Sequence, residues 1–176
     1  KVMQIVNWTS ALRVSGMFAD GDGWLENRGP IDDLHDLDRS NFRAQLLFAP
    51  NEDLDINLSY SYGKINEACC TTLRFADGPF TGPLQFFASF EGATVISPAN
   101  PEDLVTSINE QQANDAKDSL FSAEVNWQLS DGMKLTSVTS YQDYELSTLV
   151  DGDFTGADIL IIDTDVELSA FTQEFR

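Results

Sequence analysis

The stretch Asp118 to Tyr144, DSLFSAEVNWQLSDGMKLTSVTSYQDY, constrains the fold more than any other. Phe121, Ala123, Val125, Trp127 and Leu129 occupy every second position, opposite Ser122, Glu124, Asn126 and Gln128. Side chains of a strand alternate between two faces, so this arm has one apolar and one polar side. Ser130-Asp131-Gly132 supplies a tight reversal, since Gly accepts positive φ and Asp bonds its own backbone. The return arm, Met133 to Tyr144, is rich in β-branched and aromatic residues.

The same grammar recurs along the chain. Thr9 to Ala19 places Leu12, Val14 and Phe18 on one side, with Gly16 as an interior weakness. Arg39 to Ala49 alternates Phe42, Ala44, Leu46 and Phe48 with polar residues, and Pro50 to Asp53 turns it back. Leu54, Ile56, Leu58, Tyr60 and Tyr62 then form the cleanest alternation of all, ending in two tyrosines. A last strand is expected over Val166 to Arg176. Between these lie long excursions: the acidic Asp20 to Asp38, the stretch Lys64 to Asp118, and the Asp- and Gly-rich Glu145 to Asp165. Within the longest, Phe80, Leu84, Phe86, Phe87 and Phe90 predict a local apolar cluster, and Pro101 to Asn114 is a candidate short helix.

Lys and Arg number 10 against 29 Asp and Glu, a formal net charge of −19. That field repels phosphate backbones and excludes nucleic acid as a partner. No run approaches the ~20 apolar residues of a membrane helix, which leaves a membrane β-barrel open because its strands need only ~10 alternating residues. Lys1 to Trp8 carry no start or export signal, as expected of a processed chain or an internal piece.

Connections that run long, short, long, short, long predict short turns at one end of an antiparallel sheet and large loops at the other. Loops of this length are uncommon in compact domains and expected of membrane barrels. The expected fold is therefore all-β: an antiparallel transmembrane β-barrel segment of about six strands, with long extracellular loops and short periplasmic turns, over residues 1–176. Phe42, Leu46, Leu58 and Trp127 are expected to meet lipid rather than a second protein layer.

Four phrases carry a resemblance. Ala11 to Asn27, ALRVSGMFADGDGWLEN, resembles an early barrel segment of TonB-dependent outer-membrane receptors; Arg43 to Leu54, RAQLLFAPNEDL, resembles their next strand and turn. Leu135 to Tyr144, LTSVTSYQDY, and Thr172 to Arg176, TQEFR, are similar to two further strands. The resemblance implies part of a receptor in the outer membrane of a Gram-negative bacterium that imports a scarce nutrient such as a ferric siderophore. Its implied partners are outer-membrane lipid, the nutrient, and the TonB-ExbB-ExbD system acting through a TonB box and plug that this sequence lacks. The alternative reading is a secreted, acidic, β-rich binding module with a calcium-dependent variant.

The sequence offers little that is catalytic. His35 is the sole histidine, no G-x-S-x-G elbow is present, and no carboxylate pair is singled out, so no enzyme activity and no cofactor are expected. Asp151-Gly152-Asp153 opens like a calcium loop, but its twelfth position is Ile162 rather than Glu. Asp20 with Asp22, or Asp163 with Asp165, could form a looser cation site, against the plainer reading of solvated acidic loops; no metal site is assigned. Cys69 and Cys70 are adjacent, and a vicinal disulfide is favoured over two free thiols. Arg13, Arg43, Gln45, Asn57, Glu124, Asn126 and Gln128 are expected to share the polar side of the sheet.

Overall fold

A computed structural model describes residues 9–176; the expectation attached to Lys1 to Trp8 lies outside the described residues. Strands β1 (Thr9–Gly21), β3 (Leu37–Asn51), β4 (Leu54–Glu67), β6 (Ala113–Ser130), β7 (Met133–Asp151) and β8 (Ile161–Phe175) form one antiparallel sheet in the order β1-β3-β4-β6-β7-β8. Two short strands, β2 (Glu26–Asn27) and β5 (Val105–Thr106), pair in parallel as a second sheet. One helix, α1 (Thr81–Phe90), and a 3-10 turn at Pro101–Asp103 complete the described elements.

Register follows from the alternation. Across all six strands, Ser10, Phe48, Ile56, Val125, Ser137 and Phe175 form one row, and Val14, Ala44, Tyr60, Phe121, Tyr141 and Phe171 another. Leu12, Leu46, Leu58, Ala123, Thr139 and Gln173 lie between them. The adjacent row on the other face reads Arg13, Gln45, Ser59, Ser122, Ser140 and Thr172. A one-residue slip would exchange the two faces, so the side-chain pattern and the ladder specify each other. Both tight turns lie at one end as expected, since Leu54 pairs with Trp127 and the Gln128 N–H donates to the Asp53 carbonyl at 2.7 Å.

Among the described residues, no protein layer covers the apolar face. Phe42, Leu46 and Trp127 are exposed and Leu58 is half-buried. The molecule exposes 11823 Å² where a folded monomer of 19.5 kDa exposes about 8,500 Å². Among the described residues, a sheet without a second layer contributes to that excess.

The expectation of an all-β transmembrane barrel is overturned. The six-stranded sheet is open: β1 and β8 are edges that do not pair with each other, and a barrel requires closure. Nor is the fold all-β, because the long excursions carry α1 and the second sheet, giving a mixed α/β fold with two open sheets. The helix also lies elsewhere than expected. Pro101 to Asn114 yields only the 3-10 turn and β5, whereas the phenylalanine-rich stretch forms α1. Of the predicted cluster only Leu84 packs inward, one turn from Ala88 and against Val95 and Ala157, whereas Phe80, Phe86, Phe87 and Phe90 are exposed because helical spacing puts them on the other sides of α1 and its approach.

The buried core sits in the excursions. Leu25, Leu34 and Ile108 form one cluster and Ala88, Val95 and Ala157 a second. All three long connections leave from the end of the sheet opposite the tight turns, at Gly21/Leu37, Glu67/Ala113 and Asp151/Ile161. Together they make a packed cap on that end.

Candidate functional site

Residues Gly23 to Asp38 build the cap's first wall. The Leu25 and Leu34 backbones exchange hydrogen bonds at 3.1 and 3.0 Å, which closes the loop on itself and buries both leucines. Asn27 then ties this loop to the next: its Oδ1 accepts from the Gly29 N–H at 3.1 Å and the Ile108 N–H at 2.9 Å, and its Nδ2 donates to the Ile31 carbonyl at 3.1 Å. The approach is so close that a Cβ at Gly29 would lie 1.9 Å from the Ile108 oxygen, so only glycine fits there.

That wall presents an aromatic pair. The Trp24 indole stacks on the His35 imidazole with ring centroids 4.9 Å apart and 21° between planes. His35 has φ 59°, held by its own N–H donating to the Ala68 carbonyl at 2.8 Å and by Nε2 at 3.2 Å from the Thr71 carbonyl. A carbonyl can only accept, so Nε2 carries the proton in this contact. The Ala68 N–H donates to Asp36 Oδ1 at 2.5 Å, which fastens the neighbouring residue to the same turn. Cys69 and Cys70 are joined by a disulfide in that turn.

Trp24, His35, Asp36 and Cys69 line a recess of about 520 Å³ together with Leu37, Arg39, Ile65, Glu67 and Asn114. Arg39 donates from Nε and an η nitrogen to the two Glu67 oxygens, each at 2.7 Å. The Glu67 side chain is 5% exposed, so the fork neutralises a buried carboxylate and the guanidinium is held above its ordinary pKa by that hydrogen bond. Beside the recess, and sharing Asp36 and Leu37 with it, lies a cleft of about 650 Å³ walled by Asp20, Asp22, Asp32, Asp33, Asp36 and Asp38. An aromatic pair thus stands next to a concentration of negative charge.

Other sequence-predicted residues fall elsewhere. Asp151 and Asp153 spend their oxygens on their own loop: Asp151 Oδ1 accepts from the N–H groups of Asp153 and Phe154 at 3.2 and 2.9 Å. Asp153 Oδ2 accepts from Ile159 and Leu160 at 3.3 and 3.1 Å. Asp151 is buried, and burial first and the Asp153 charge second raise its pKa to about 6. The Asn109 amide, oriented to suit its neighbours, donates to Asp151 Oδ2 and the Thr155 carbonyl, each at 3.2 Å. Asp163 and Asp165 sit on β8, opposite Leu149 and Ser147. No group of three metal-ligating side chains converges among the described residues. Arg13, Arg43, Gln45, Asn57, Glu124, Asn126 and Gln128 do share one face of the sheet, and Arg39, Ile65, Glu67 and Asn114 of the recess belong to that same face at its cap end.

Sequence reasoning did not single out Trp24, Asn27, or the pairing of Arg39 with Glu67. Arg39 and Glu67 stand 28 residues apart on neighbouring strands, and only the β3–β4 register, with Arg39 opposite Ile65, brings them together.

No protein-family model matches the chain, and no curated protein and no solved structure matches it either. The resemblance to TonB-dependent outer-membrane receptors is therefore corrected: its four phrases are short strand and turn patterns, and the sheet they form is open. With it fall the expectations of transport, iron or siderophore uptake, a receptor role, a TonB box, transmembrane strands, contact with outer-membrane lipid or TonB-ExbB-ExbD, and residence in a Gram-negative outer membrane.

Proposed function

We propose that the chain is a binding module rather than an enzyme, and that its cap takes a small organic cation in the Trp24–His35 recess. The observation that carries this reading is the shared wall at Asp36 and Leu37, which joins the recess holding an exposed indole to a neighbouring cleft of six carboxylates. Ammonium groups are attracted to the face of an indole and to carboxylates alike, so one ligand would satisfy both halves. Polar groups around an apolar surface fix the orientation of such a ligand. His35 directs its Nε2 proton to a backbone carbonyl and stacks its ring on Trp24, an arrangement suited to holding a wall rather than shuttling protons. The net charge of −19 draws cations to the surface before they bind.

Calorimetric titration with spermidine at low ionic strength tests the reading. Saturable binding is expected, weakened roughly threefold to thirtyfold by Trp24→Ala, the span of an indole's attraction for a cation. Asp22→Asn with Asp32→Asn should weaken it further and flatten its salt dependence. An affinity indifferent to Trp24→Ala would overturn the assignment of the recess.

A further inference from the structure

We propose that the Cys69–Cys70 pair is a thiol–disulfide exchange site, and that opening it releases the turn holding His35 and so dismantles the aromatic wall. The proposal rests on the reading of the recess given above, but its first consequence is structural and can be seen without any ligand.

The argument starts from the backbone. Cys70 has φ 81°, a region that residues with a Cβ rarely occupy. Joining the side chains of adjacent residues closes a small ring through the peptide between them, and that ring restrains the Cys70 backbone. Without it the local preference is negative φ, and a rotation there carries Thr71 with it. Thr71 is the residue whose carbonyl meets His35 Nε2, and Ala68, on the other side of the pair, accepts from the His35 N–H and donates its own N–H to Asp36 Oδ1. Three of the contacts that position residues 35 and 36 therefore come from the residues immediately flanking the disulfide. His35 itself has positive φ and loses its restraint when they go.

Access favours the reaction. Cys70 is exposed, whereas Cys69 is half-buried at the edge of the recess. A thiolate of an external dithiol attacks Cys70 Sγ, forming a mixed disulfide while Cys69 Sγ leaves as a thiolate and takes up a proton. The second thiol of the dithiol then attacks its own sulfur in the mixed disulfide and expels Cys70, which is protonated in turn. Two electrons and two protons pass from the dithiol, which ends as a disulfide, to the cysteine pair.

Dithiothreitol serves as the probe. Intact protein is compared before and after reduction, with the gain of two hydrogens verified by mass. Amide spectra should show large shifts at His35, Asp36 and Ala68, and the His35 ring should lose the signature of stacking on Trp24, while signals from Ser59 and Ser122 in the sheet stay in place. Reoxidation should restore the first spectrum, and Cys69→Ser with Cys70→Ser should give the reduced spectrum under either condition. Spermidine affinity should fall by roughly tenfold on reduction, the scale set by losing one to two hydrogen-bond contacts behind the wall. Unmoved His35 and Ala68 signals after verified reduction would overturn the proposal, as would failure of dithiothreitol to reduce the pair or its isolation in air as two thiols. If spermidine binds neither form while the spectra change, the exchange site stands and the cation reading alone fails.

Discussion

The sheet and the cap are built from one chain on opposite terms. In the sheet, 94 residues of strand pair through ladder bonds, yet none of their apolar side chains is buried. In the cap, regular structure is sparse, yet Leu25, Leu34 and Ile108 are at most 1% exposed. Backbone pairing and side-chain burial, which usually arrive together, are separated here. The sheet is held mainly by its hydrogen bonds and cross-strand contacts, the cap by apolar clusters and by side chains such as Asn27 that substitute for a ladder.

The largest expected difference between the regions lies in truncation of apolar side chains. Ile108→Ala removes a side chain with no exposed surface and should lower unfolding stability by about 2–5 kcal/mol. Phe171→Ala removes a larger side chain that is 67% exposed and should cost under about 1 kcal/mol. Urea unfolding of the two variants compares the regions directly. Equal losses would break the contrast, because Phe171 would then have to be covered in solution by something that packs as tightly as the cap does.

Legibility from sequence divided along the same line. Period-two alternation at Phe121 to Leu129 and Leu54 to Tyr62 marked the strands, and Pro50 and Gly132 marked the tight turns, because each signal acts over a few neighbouring residues. The alternation also put the apolar residues of these strands on one shared face, though not against the lipid expected there. It could not say whether the edges close, since closure depends on strand number and stagger rather than on any local pattern. The strands also run further than their apolar residues suggested: β7 continues to Asp151 and β8 begins at Ile161, where pairing of Val150 with Ile162 sustains a ladder through a stretch read as loop. The cap was least legible. Asn27 acts on Ile108, 81 residues away, and Trp24 gains its meaning only from His35 stacked against it. Of the recess, the sequence marked His35 and Cys69 as unusual residues but gave no sign that they share one wall.

A second expected difference is in response to pH. In the cap, the folded-state pKa of Asp151 is about 6 against an ordinary 3.8. At pH 3 the carboxyl is protonated whether the chain is folded or not, so it contributes no pH-dependent penalty. As pH rises from about 4 to 6 the unfolded chain releases this proton first, and cap stability falls; above about pH 6 the full cost remains. Partial access of water to the loop and its N–H donors moderate that cost, to about 1–3 kcal/mol. Asp151→Asn keeps an acceptor oxygen for the Asp153 and Phe154 N–H groups while removing the charge. Thermal melts between pH 4 and 7 should therefore lose a declining component in this variant. A wild-type decline that persists unchanged in Asp151→Asn would assign the pH response to another carboxylate.

The smallest expected effect concerns the sheet's polar face. Ser59 and Ser122 share a hydrogen bond of 2.8 Å across β4 and β6, in the row that runs from Arg13 to Thr172. Their register is already set by ladder bonds on both sides and by the apolar row beneath. Ser122→Ala leaves Ser59 half-buried, with room to turn its hydroxyl toward solvent, so the loss should stay within about 0.5 kcal/mol. Asn27→Ala is the matched perturbation in the cap, where the Ile108 and Gly29 N–H groups would both lose their acceptor and no ladder replaces it; about 1–3 kcal/mol is expected. Guanidinium titration of the pair, read against wild type, measures how far a side chain's hydrogen bond matters when the backbone beside it is already paired. A Ser122→Ala cost as large as that of Asn27→Ala would mean that the sheet's hydroxyl rows, and not its ladder alone, fix the strands in register.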